Sequence, residues 1–140
     1  MRWLPRRGRW VPLLPPTSRN VVVGLVPVEP IIRGADYALP GGDTAPQLNI
    51  IEQAAPIQMW GALCLLAGVV ALVGFLGRWR LVCIAGLWLG ACTYAALAVG
   101  QWAEVVGHPW LDGVRGPAIV TVFAAAQAGL ALGYARQGDA

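Results

Sequence analysis

Glu29, Arg33 and Asp36 are the residues of this chain whose types and spacing could do chemistry. Steps of four and three place them within about 60° of one another on a helix, as one polar stripe. At bilayer depth an unpaired charge costs at least ~2.5–3.5 kcal/mol on insertion scales, so an arginine between two carboxylates makes such a segment insertable. Two readings follow. The stripe is an intramembrane proton or ion relay, or a buried contact to another subunit; or it is interfacial, with its charged face in water or headgroups.

Other polar residues offer less. Gln127 falls inside an apolar stretch and needs a hydrogen-bond partner there, a contact worth about 0.6–2 kcal/mol between helices in lipid. Glu104, His108 and Asp112 have the i, i+4, i+8 spacing of a metal trio on a regular helix, but Gly107 and Pro109 argue against such a helix, which leaves a solvated loop. Cys64, Cys83 and Cys92 read as small packing residues, the last two about 180° apart on their helix. No phosphate-binding glycine motif, Ser/His/Asp set or Cys/His cluster is present, so the expectation is a non-enzymatic protein with no cofactor and no metal.

The elements that must position these residues are apolar helices. Ile57 to Leu76 and Leu81 to Gly100 contain no charge, flank the turn Gly77-Arg78-Trp79-Arg80, and are each about 30 Å long as helices, the thickness of a bilayer's hydrocarbon core. A third apolar run is Pro117 to Ala135. Asn20 to Leu39 is weaker, because Pro27, Glu29, Pro30, Arg33 and Asp36 interrupt it. With 57% hydrophobic and 12% charged residues, the chain has a membrane composition and the size of one small domain. Val11 to Pro16 is too short and too broken by proline to be the apolar core of a cleaved signal.

Charge placement argues for keeping the weak segment as a span. With three spans only, the arginines at 78 and 80 and the basic N-terminal tail would lie on opposite sides of the membrane, against the positive-inside rule. With four, Arg2, Arg6, Arg7, Arg9 and Arg19 share the cytoplasmic side with Arg78, Arg80 and Arg136. The Arg-free segment Pro40 to Pro56 and the loop Gln101 to Gly116 are then outside. The expected fold is all-α: an integral membrane four-helix bundle with spans 20–39, 57–76, 81–100 and 117–135, a basic tail 1–18 and a short tail 137–140. Both termini are expected in the cytoplasm of a bacterium, in its cytoplasmic membrane. Tyr37, Trp60, Trp102 and Trp110 then mark the outer interface and Trp3, Trp10, Trp79 and Tyr134 the inner one, while Trp88 lies within a span as a packing or lipid-facing residue.

Small residues suggest how the spans meet. Ala125, Gly129 and Gly133 recur every four residues, as do Gly86 and Gly90, and such spacing lets backbones approach. These five and Gln127 are the candidate interhelical contacts. The partners expected are the lipid bilayer and a second copy or other membrane proteins docked on small-residue faces, with no nucleic acid; the N-terminal arginines with Trp3 and Trp10 suit anionic headgroups.

Ten arginines without a lysine, with abundant Ala, Gly, Val and Pro, indicate a GC-rich genome. Arg19-Asn20, Gly24-Leu25, Tyr37-Ala38-Leu39, the run Pro56 to Gly61 and Leu66-Ala67-Gly68 resemble small multi-pass membrane proteins of actinobacteriophages, over most of residues 19 to 135. That resemblance implies a phage or prophage protein with a non-enzymatic role in the host envelope, and no catalytic residues to carry over. Two prolines and three charges in the first span depart from the pattern. The alternatives are a holin-like lysis protein and a DoxX-like redox-associated or small transport protein. The last requires Glu29, Arg33 and Gln127 to converge in one cavity.

Overall fold

A chain this apolar satisfies its backbone hydrogen bonds within helices. The computed structural model describes residues 15–39, 48–107 and 113–136, which are helical apart from caps and turns and contain no strand. In order, the helices are α1 (Pro16–Leu25), α2 (Val28–Ala38), α3 (Asn49–Ala54), α4 (Ile57–Leu76), α5 (Arg80–Gly107) and α6 (Arg115–Arg136). Three of them, α4, α5 and α6, are long and apolar enough to cross a membrane. The protein is therefore an all-α membrane protein.

Sequence chemistry sets most of the boundaries. Pro16 takes the first position of α1, where a missing N–H costs nothing. Ala55 is extended, as the residue before a proline tends to be, and this ends α3 just ahead of α4. The C-terminus of α4 closes in a Schellman turn: the Trp79 N–H donates to the Gly74 carbonyl at 2.8 Å and the Arg78 N–H to the Phe75 carbonyl at 3.3 Å. The left-handed position of that turn is held by Arg78 (φ 57°), with Gly77 one residue too early to fill it.

The interrupted segment 20–39 forms two helices. Pro27 and Pro30 have no N–H to offer the carbonyls of Val23 and Val26, so the ladder breaks between Leu25 and Val28. Val26 and Pro27 nonetheless keep right-handed helical backbone angles, so α1 and α2 make one bent rod. The rod runs antiparallel to α4: Gly24 lies by Phe75, Pro27 and Ile31 by Gly68, Gly34 by Leu65, and Ala38 by Gly61. Glycine makes this approach possible. A Cβ on Gly34 would come within 2.7 Å of the Gly61 carbonyl oxygen, and one on Gly61 within 2.9 Å of the Gly34 carbonyl oxygen.

One expected boundary is corrected. Helix α5 continues past Gly100 to Gly107, so Gln101 and Glu104, expected in a solvated loop, are buried on a helix. The physical reason is α3, a short helix within the segment expected to be only a connection. Its Ile51 packs on Gly100 and extends the buried face of α5 by two turns.

Packed seams join α2 to α4, α4 to α5 and α5 to α6, in that order across the molecule. No comparable seam joins α6 back to the α1–α2 rod, and two clefts open along that gap. One core cluster gathers Ile51, Cys64, Tyr94, Leu97 and Val120; the other, toward the Arg78 turn, gathers Ala71, Cys83, Leu87 and Ala131.

Candidate functional site

On α2, Glu29 and Arg33 lie one turn apart, in the order that best suits an i, i+4 ion pair on a helix. Arg33 donates from Nε and Nη2 to Glu29 Oε1 at 2.9 and 2.7 Å, and from Nη1 to the Tyr37 hydroxyl at 3.3 Å. Across the helix gap, the Tyr94 hydroxyl of α5 donates to the other carboxylate oxygen, Oε2. The Arg33 guanidinium carbon stands 5.6 Å from the centre of the Tyr94 ring, within range of a cation–π contact. Both charged side chains keep only about a quarter of their surface, at 24% and 22%. Gly34 against Leu65 sets this network near the midpoint of α4, and Cys64 is fully buried in the core cluster that Tyr94 shares.

Of the two readings of the stripe, the inward one matches this geometry, but for two residues only. Asp36 is exposed and Arg33 does not bridge it, so the expected arginine between two carboxylates is not what forms. Helical side chains lean toward the N-terminus of their own helix, which carries Arg33 back onto Glu29 and Tyr37 back onto Arg33. Asp36 is left at the rim of a cleft of about 670 Å³ that Glu29, Arg33, Tyr37 and the buried Gln101 also line, between apolar walls from Val28, Ile32 and Leu48. Gln101 contributes an anomaly: its Oε1 is buried without a hydrogen-bond partner among the described residues. An acceptor left in that state costs about 1–3 kcal/mol.

The candidate interhelical contacts divide. Gly86 packs on Ala71 of α4 so closely that any Cβ would run into backbone, and Gly90 faces the side-chain oxygen of Gln127, which α6 buries between the helices. Gln127 Nε2 has no partner there. Ala125, Gly129 and Gly133 are exposed, and a Cβ on either glycine would meet nothing within 4 Å. Among the described residues they make no interhelical contact. The buried face of α6 runs instead through Pro117, Val120, Gln127 and Ala131, because α6 has one packed neighbour, α5.

Sequence reasoning passed over Tyr94, Gln101 and the glycines at 34, 61, 68 and 74. Tyr94 carried a signal, since a tyrosine deep in an apolar run needs a partner for its hydroxyl. The aromatics expected at the two interfaces lie toward the helix ends where they are described. Tyr37, Trp60 and Trp102 stand at one end of the rod and helices, Trp79 and Tyr134 at the other. Trp60 donates to the Ile51 carbonyl at 3.3 Å and Trp102 to the Thr121 hydroxyl at 3.0 Å. Trp88 is 40% exposed. His108 and Asp112 of the metal trio, Trp3, Trp10, Trp110 and the tails lie outside the described residues. No family model, curated protein or solved structure matches this chain.

Proposed function

We propose that this is a four-span protein of a bacterial cytoplasmic membrane, the bent α1–α2 rod being the first span and both termini cytoplasmic. Its support is that α2 packs antiparallel along α4 and α1 continues it toward the α4–α5 turn, bringing Arg19 to the same cleft as Arg78 and Arg80, the side on which the positive-inside rule gathers cytoplasmic arginines. An impermeant thiol reagent tests it on intact cells, with the native cysteines replaced. Thr44→Cys is expected to label and Ser18→Cys not to; protection of both would remove the first span.

We further infer that its role is non-enzymatic binding of a small organic cation in the cleft beside the Glu29–Arg33 pair. The observation that carries this is the group left over once the pair is made. Arg33 neutralises Glu29, whereas the exposed Asp36 carboxylate has no ion pair among the described residues and remains at an apolar-walled cleft. An accessible carboxylate beside apolar walls selects a ligand with N–H groups and positive charge. In detergent, n-butylammonium is expected to raise the melting temperature saturably, with a response at least fivefold weaker in Asp36→Asn. Butyrate, with the same chain and opposite charge, should give no such rise. An equal response to both, or none, would overturn the assignment.

A second reading, holin-like self-association, is favoured by the exposed Ala125, Gly129 and Gly133 face, which a second copy could cover. Collapse of membrane potential on expression in a bacterial host would support it, and together with a phage gene neighbourhood would fit the origin that the sequence resemblance implies. The DoxX-like reading loses ground, because Gln127 is sealed between α5 and α6 while Glu29 and Arg33 share the other cleft.

A further inference from the structure

The second cleft lies at the opposite end of the same open seam. It has a volume of about 570 Å³ and lies between α1, the α4–α5 turn and α6. Arg19, Arg78 and Arg80 line it, with no carboxylate among its described lining residues. Phe75 and Leu130 supply apolar wall, and Tyr134 stands at the same end. Three arginines lining one cleft give it a positive field, and the planar fork of arginine matches phosphate oxygens in pairs.

Arg78 adds an independent observation. It occupies the left-handed position of the α4 Schellman turn, where glycine is the residue without a steric cost. The chain keeps a guanidinium where the backbone would favour its absence. On the α6 side, the exposed Gly129 and Gly133 leave open space beside the apolar wall, where a side chain on either would meet nothing within 4 Å.

We propose that this cleft binds one anionic phospholipid, its phosphate among Arg19, Arg78 and Arg80 and an acyl chain along Phe75, Leu130 and the glycine face of α6. Anionic headgroups are drawn to basic residues at a helix end, and here the charge is joined to an apolar-walled cleft of about 570 Å³, which distinguishes a discrete site from general attraction to the membrane surface.

Native mass spectrometry of the full chain released from phosphatidylcholine nanodiscs containing phosphatidylglycerol tests the proposal. The wild type should retain one phosphatidylglycerol, preferred at least tenfold over phosphatidylcholine. Arg78→Gly removes one charge while relieving the turn, so it should melt at the same or a higher temperature yet lose most of that preference. Gly133→Leu fills the hydrocarbon groove in open space and should weaken retention several-fold with the fold intact. Inorganic phosphate at millimolar concentration should not displace the lipid. Displacement by phosphate would assign the arginines to a free anion and overturn the lipid site. Equal retention of the two lipids, or a preference unchanged in both variants, would reduce it to unspecific surface attraction.

Discussion

Gly61 and Gly68 on α4 look much like Gly129 and Gly133 on α6 when read as a sequence: small residues on one face of an apolar helix. In the folded chain the first pair is pressed against the backbone of α2, and the second faces open space. The difference lies in what stands opposite. α2 carries a carboxylate and a guanidinium that lipid would make expensive, and docking on α4 lets Tyr94 of α5 complete their hydrogen bonding. Nothing comparable draws a neighbour onto the outer face of α6. Small residues permit close approach, and a polar stripe supplies the reason for it.

The comparison breaks first at the packed glycines. Gly61→Leu puts a side chain where the α2 backbone now lies, and a loss of about 3 kcal/mol or more is expected, read as unfolding at lower denaturant in detergent micelles. Glu29→Gln leaves Arg33 without its counter-charge; because the pair keeps about a quarter of its surface, the expected cost is about 2 kcal/mol by the same measurement. Arg78→Gly relieves a left-handed backbone position and should stabilise the protein by about 1 kcal/mol, seen as a raised midpoint of thermal unfolding. Gly133→Leu, at the unpacked face, should stay within about 0.5 kcal/mol of the wild type. A loss at Gly133 equal to that at Gly61 would mean that α6 packs as tightly as α4.

Sequence patterning was sufficient where one property decided the outcome. The uncharged run Ile57 to Leu76 forms α4 with the expected bounds, since lipid-length hydropathy and Pro56 act on the same stretch. Hydropathy does not mark the segment that forms the rod, because two prolines and three charges hide it from any apolar average. Gln101 and Glu104 were misplaced for a tertiary reason: polar residues past the end of an apolar run read as loop until α3 covers them. Half of the central network was visible as the i, i+4 pair of Glu29 and Arg33. The rest was not, because the meeting of Tyr94 with Glu29 spans 65 positions and depends on how α2 and α5 pack around α4.

The claim on which the rest depends is that Glu29 and Tyr94 interact directly inside the helix assembly. A double-mutant cycle of Glu29→Gln and Tyr94→Phe, measured by reversible unfolding in bicelles, tests it with the least dependence on other assumptions. A coupling energy of about 1–2 kcal/mol is expected, the range for a hydrogen bond to a charged group between helices in lipid. Additive effects of the two substitutions, within about 0.3 kcal/mol, would contradict the inward orientation of the α2 stripe and with it the polar cleft built on that orientation.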